Sequence, residues 1–149
     1  MAEGVFGHLA ESVGAGSFFE VESAGTVCYQ SGSCPDERAI RAAGRHGIDI
    51  SSIRARCIHD LDLARFDRIF AMDFENHRDL YDALEGRPVS VHMMTEFAGS
   101  DAGEEIEDPY YGDEAGFDRT LRRLMESATG ILEAMLVEYG FPDDGGHER

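Results

Sequence analysis

Val5, Phe6, Leu9, Ala10 and Val13 recur at the steps of one helical face, so the segment from Met1 to Val13 reads as an amphipathic helix that Gly14 and Gly16 stop. No Ser, Thr, Asp or Asn stands ahead of Met1 to cap it, and a free α-ammonium group would lie against the positive end of the helix dipole. Phe18-Phe19-Glu20-Val21-Glu22-Ser23 then sets Phe19, Val21 and Ser23 against acidic neighbours, the alternation of a strand that ends at the Ala24-Gly25 turn. A loop with Gly32 and Pro35 leads into a helix from about Asp36 to His46, with Ala39, Ile40 and Ala43 inward and Gly47 at its C-terminal end. Ile48 to Cys57 has no clear period, and Asp60 to Arg65 reads as a short helix.

Asp67-Arg68-Ile69-Phe70-Ala71-Met72 is short and mainly apolar, a second strand, followed by a helix from roughly Glu75 to Leu84 and a third strand over Val89-Ser90-Val91-His92-Met93-Met94. A glycine- and acid-rich loop from Phe97 to Gly116 is longer than a compact domain usually leaves structureless without a functional reason. Phe117, Leu121, Leu124, Met125, Ala128, Ile131, Leu132, Met135, Leu136 and Tyr139 then mark one face of a long helix ended by Gly140 and Pro142. Helices alternate with strands, which predicts an α/β fold with a parallel sheet covered on both faces. Residues 1–140 read as one domain and 141–149 as a polar tail. Three strands beside four or five helices leave the sheet one strand short.

Composition narrows the classes of function. Thirty Asp and Glu stand against thirteen Arg and no Lys, for a formal charge of −17. A field of that sign excludes a phosphate-backbone partner and an anionic membrane surface. With 42% hydrophobic residues the chain can bury a core, and no apolar run reaches the ~18 residues of a membrane span. Three cysteines are too few for a disulfide scaffold, so a reducing, cytoplasmic setting is expected. The Lys-free, acidic surface fits either solvated acidic faces under GC-rich coding or adaptation to high salt. His8, His46, His59, His77, His92 and His147 show no pair at metal-ligand spacing, and neither metal nor cofactor is expected. Cys28 and Cys34, six positions apart, are a weak candidate for a thiol redox pair.

Several strings, in order, resemble the low-molecular-weight protein tyrosine phosphatase family. They are Met1-Ala2-Glu3-Gly4-Val5-Phe6, Ser23-Ala24-Gly25-Thr26, Pro35-Asp36-Glu37-Arg38-Ala39, Gly47-Ile48-Asp49-Ile50-Ser51, Arg54-Ala55-Arg56, Phe66-Asp67, Met72-Asp73 with Asn76, and Asp108-Pro109-Tyr110-Tyr111-Gly112 ahead of a terminal helix. The resemblance implies a flavodoxin-like three-layer fold with sheet order 2-1-3-4. It also implies hydrolysis of phosphotyrosine, on a protein or a small phosphomonoester, through a phosphocysteine intermediate. Asp108 would be the general acid that protonates the leaving phenolate and later activates water, and Pro109 restrains its backbone. Tyr110 and Tyr111 would wall the substrate cleft, with Tyr29 as a further aromatic wall, and Ser23 would brace the phosphate loop. The tyrosine pair favours this activity over the family's arsenate reductases and arginine phosphatases.

One family feature is not found in the 149 residues. The family's phosphate loop is Cys, five residues, Arg, Ser or Thr, Pro; here the residues six positions after Cys28, Cys34 and Cys57 are Cys34, Ile40 and Leu63. Thiolate attack on a phosphate dianion needs a lowered Cys pKa, amide donors at a helix N-terminus and a fixed cation, and a chain of charge −17 offers no substitute field. The nucleophile Cys and the phosphate-binding Arg are therefore expected to be absent and the chain inactive by itself. The expected cause is a start assigned to an internal Met, with the first, central strand and the loop lying ahead of it. The alternatives are a pseudophosphatase that binds without turnover, or a thiol redox or arsenate reductase relative. Loss of a central strand would leave two parallel strands with no partner between them.

Overall fold

Helix α1 (Ala2–Ser12), helix α2 (Glu37–Gly44), strand β1 (Arg68–Ala71), helix α3 (Phe74–Leu84), strand β2 (Ser90–Met93) and helix α4 (Glu114–Glu138) follow in chain order in the computed structural model, which describes residues 1–142. Asp36, Asp73 and Asp113 cap α2, α3 and α4 by accepting the main-chain N–H of Arg38, Asn76 and Gly116, whereas α1 has Met1 at its cap position and no side-chain cap. Gly47, at φ 73°, takes the left-handed turn that releases the chain from α2 into Ile48.

β1 and β2 pair in parallel, Arg68 opposite Ser90 through Ala71 opposite Met93, with α3 as the crossover between them. Their alternation divides the core. Phe70, Met72 and Met94 face a cluster built by α1, α2 and α4 around Val5, Ile50, Leu121 and Ile131. Ile69, Ala71, Val91 and Met93 face a second cluster with Ile58, Leu63, Leu80 and Leu84. α4 is the spine of the first layer, packing on both α1 and α2. Its Gly130 lets the loop before it approach so closely that a Cβ there would lie 2.1 Å from the Phe97 carbonyl oxygen.

Four expectations change. Residues 18–23 are not a strand: Gly16–Phe18 is a 3-10 turn and the extended chain beyond it pairs with nothing among the described residues except at Gly25, which makes a single parallel bridge to Cys57. An alternating sequence supplies the side-chain pattern, but a strand also requires a neighbouring backbone to receive its hydrogen bonds. The short helix over 60–65 is two 3-10 turns, Ile58–Asp60 and Leu63–Arg65, each too short for an α-helical hydrogen-bond series. The long loop holds a fourth such turn at Gly99–Asp101 and is further pinned by Thr95, buried, whose hydroxyl donates to the Glu104 carbonyl at 2.6 Å. Finally, Phe141, expected in the polar tail, folds back so that its ring meets that of Phe18 at 5.3 Å; residues 143–149 of that tail lie outside the described residues.

Candidate functional site

Two backbones running side by side flank an apolar slot. Among the described residues, β1 is paired on one edge, with β2. Across the slot from β1 runs the extended segment 19–24, and of the main-chain groups of residues 20–24 only the Ser23 N–H finds a hydrogen-bond partner among the described residues. The cavity between them measures about 640 Å³, with Phe6, Ile131 and Met135 on the side of α1 and α4 and Ile58, Leu63 and Leu80 on the other. A residue in a packed sheet fills roughly 3.3 × 4.8 × 10 Å, about 160 Å³, so the slot has room for about four residues of extended chain. Arg68 on its wall has a buried Nε with no hydrogen-bond partner among the described residues, although its terminal nitrogens reach His92 and Glu138.

In open parallel sheets, chemistry gathers at the carboxyl ends of the strands. Here polar contacts close that end and brace segment 19–24 along its length. Ser23 donates both its N–H (2.9 Å) and its hydroxyl (2.6 Å) to Glu3 Oε2 in the first turn of α1. Arg56 reaches Glu3 at 3.4 Å and Glu22 at 3.3 Å, while Arg65 bonds Glu22 at 2.8 Å and also pairs with Glu20. Asn76 donates to the Thr26 hydroxyl at 3.2 Å, which ties α3 to the turn after the extended segment. Burial pushes the Met1 α-amino group below its ordinary value, against the opposing pull of Glu3.

The Asp-Pro loop arrives at the same end, because the Ile106 N–H donates to the carbonyl of Met72, directly after β1, at 2.8 Å. Asp108 is exposed, and its Oδ1 accepts the Tyr110 N–H at 3.0 Å, an Asx turn that fixes the carboxylate relative to Pro109. Arg38 holds the rest of the loop. Its guanidinium donates to the carbonyls of Tyr110 and Gly112, both at 3.0 Å, and lies 4.5 Å over the Phe117 ring. Asp36 in turn grips Arg38 with both carboxylate oxygens, at 3.0 and 2.9 Å, and that hydrogen bonding holds the Asp36 carboxyl below its ordinary range.

Tyr110 and Tyr111 meet edge to face at 5.0 Å, and Tyr111 is 93% exposed. The structure therefore gathers Asp108, Tyr110 and Tyr111 on one loop. Tyr29 stands 81% exposed on the separate loop after Thr26 and makes no ring contact with them. Of the expected site residues only Ser23 lines the slot. Its hydroxyl donates to Glu3.

Cys28 is paired with Cys57, not with Cys34, which is free and exposed. The correction has a backbone cause: Gly32 donates to Ala55 and Ala55 to Ser33, so the loop runs along residues 55–57 and brings Cys28 against Cys57 across a separation of 29 residues. Sequence spacing could not register that pairing. It also missed Glu3 and Arg38, although an acid in the first turn of α1 and an Arg two residues beyond a capping Asp were visible signals.

Comparison with known proteins gives a consistent result. The family model described as low molecular weight phosphotyrosine protein phosphatase matches residues 1–139. The chain is 34% identical over 136 residues to the human low molecular weight phosphotyrosine protein phosphatase, covering 89% of this chain and 85% of the relative. It is 31% identical over 137 residues to that of Schizosaccharomyces pombe, covering 91% and 87%. Among solved structures, a product-state mimic of protein tyrosine phosphatase from Entamoeba histolytica superposes with a TM-score of 0.81 at 29% identity, covering 95% of this chain and 88% of that one.

Proposed function

Because the chain belongs to the low molecular weight phosphotyrosine protein phosphatase family, we propose that it is the body of a phosphotyrosine phosphatase whose reactive centre is completed by a strand-and-loop segment seated in the apolar slot. The observation that carries this reading is the slot itself: backbone edges on both walls that find almost no partners among the described residues, room for about four strand residues, and an outlet at the carboxyl end beside the Asp108 loop. A Cys and an Arg on a loop leaving the slot would meet the N-terminus of α1, where main-chain amides and the dipole favour a phosphate dianion.

In this reading the Cys thiolate attacks phosphorus in line, and the P–O bond to the tyrosine oxygen breaks. Asp108, protonated, gives its proton to the departing phenolate. The phenol of tyrosine has an ordinary pKa of about 10, so it leaves poorly unless protonated. Asp108, now a carboxylate, takes a proton from water as that water attacks the phosphocysteine and releases inorganic phosphate and thiolate. Tyr110 and Tyr111 offer aromatic faces to the substrate ring, Tyr29 a further wall, and Ser23 a brace that exchanges Glu3 for the incoming loop.

The test is turnover of p-nitrophenyl phosphate and of a phosphotyrosine peptide by the 149-residue chain, alone and with an apolar strand and a Cys-five-residue-Arg loop joined ahead of Met1. No turnover is expected alone and Cys-dependent turnover with the segment. Asp108→Asn in the completed enzyme should lower kcat/KM ~10²–10⁴-fold on the peptide and less on p-nitrophenyl phosphate, whose phenolate needs little help in the first step, and should lower kcat on both. Cys-dependent turnover by the chain alone, or an unchanged kcat in Asp108→Asn, would overturn the proposal. Phosphotyrosine binding without turnover by the completed protein would favour a silent binding module instead.

A further inference from the structure

Away from the slot, three side chains with metal-ligating atoms converge. Sγ of Cys28, Sγ of Cys57 and a ring nitrogen of His59 all lie within 4.8 Å of one another. They come from two segments locked side by side by the Gly25–Cys57 bridge and by the hydrogen bonds of Ala55 to the loop 32–33. Cys57 is only 3% exposed, while Cys28 and His59 are exposed, so the cluster has one rigid inner ligand and an open outer face. The main-chain N–H of His59 points at Cys57 Sγ, 3.4 Å away, a donor that stabilises negative charge on that sulfur.

We propose that Cys28, Cys57 and His59 form a thiol-gated site for a soft divalent metal, Zn²⁺ above others. With the disulfide closed, the sulfurs are bonded to each other and the site does not exist. A dithiol reductant opens it: two electrons and two protons pass to the Cys28–Cys57 bond, giving two thiols and leaving the reductant as its disulfide. Zn²⁺ then displaces the two thiol protons and takes two thiolates, the His59 imidazole and one water. Zinc–sulfur bonds of about 2.3 Å and zinc–nitrogen bonds of about 2.0 Å put tetrahedral ligand edges near 3.5–3.8 Å, so the two sulfurs, which a disulfide holds at about 2 Å, move apart by about 2 Å on reduction while the His59 nitrogen closes by roughly an ångström at most. Two thiolates and an imidazole select zinc over magnesium or calcium by softness. Either state, disulfide or metal, clips the loop of Tyr29 to residues 55–59. Only the reduced, metal-free protein leaves that loop to its few main-chain bonds.

The full chain, reduced by a phosphine and handled without oxygen, is titrated with Co²⁺ and then Zn²⁺. The expected result is one equivalent of Co²⁺ with thiolate charge-transfer bands and the intense visible bands of four-coordination, displaced by Zn²⁺ with one thiol, Cys34, still reactive. His59→Ala, an exposed position that does not threaten folding, should weaken binding at least ~tenfold, and Cys34→Ser should leave it unchanged. Charge-transfer bands that survive Cys28→Ser, unchanged affinity in His59→Ala, or three reactive thiols at saturating Zn²⁺ would each overturn the proposal. So would loss of binding in Cys34→Ser, which would move the site elsewhere.

Discussion

The two sides of α1 and α4 obey opposite rules. Where α2 meets α4, space is filled and charge is answered: Leu121 is wholly buried, Arg41 bonds Glu114 at 2.9 Å, Arg45 bonds Asp118 at 2.6 Å, and Arg38 clasps the Asp-Pro loop. Where α1 and the far end of α4 meet β1, apolar side chains line an open slot, and among the described residues one edge of β1 and the buried Nε of Arg68 have no partner. Both regions are written in the same amphipathic code. The difference is that the first code is answered by other parts of this chain and the second, among the described residues, is not.

The largest effect expected from this contrast is on core truncation. Leu121→Ala should cost ~2–5 kcal/mol, because close-packed neighbours cannot collapse onto the gap, whereas Ile69→Ala, which faces the slot, should cost about 1 kcal/mol. Urea unfolding of both variants measures the difference, and equal costs would mean that the slot is closed in solution.

A smaller effect is expected at the clasp. Arg38→Ala removes both donors to the Tyr110 and Gly112 carbonyls, so the chain near Asp108 should be cut faster by a limiting protease than the wild type while the urea midpoint changes little. Unchanged cleavage would show that the Asx turn at Asp108 suffices to hold the loop.

The smallest effect is on acid stability. Hydrogen bonds from Arg41 and Arg45 hold Glu114 and Asp118 below the ordinary carboxylate range. A carboxylate with a lowered folded pKa contributes stability above its unfolded pKa and loses it as pH falls through the folded value. The urea midpoint should therefore drop modestly between about pH 5 and about pH 3, and Glu114→Gln with Asp118→Asn should flatten that slope. The effect should shrink with added salt, since both pairs are exposed.

What could be read in advance followed from local rules. The inward face of Ala39, Ile40 and Ala43, the Gly47 stop and the apolar stripe of the last helix placed α2 and α4 within a few residues, because burial and helix stops act over one or two turns. Phe19-Glu20-Val21-Glu22 shows the limit. Its alternation was legible, but whether it pairs depends on a backbone many residues away. The Asp108-Pro109-Tyr110-Tyr111 string was likewise legible as a candidate site, whereas the only local mark on Arg38 was its spacing from Asp36, and its grip on Tyr110, seventy-two residues on, is set by packing.

The sequence by itself determined the alternation of helices and strands, the negative field and the residues with chemistry to offer, since each rests on composition or on near neighbours. Only the tertiary structure decided that β1 has an open edge facing residues 19–24, that Cys28 meets Cys57 and not Cys34, and that Arg38 grips the Asp108 loop. Those are contacts between segments distant in the chain, and their geometry exists only when packing has brought the segments together.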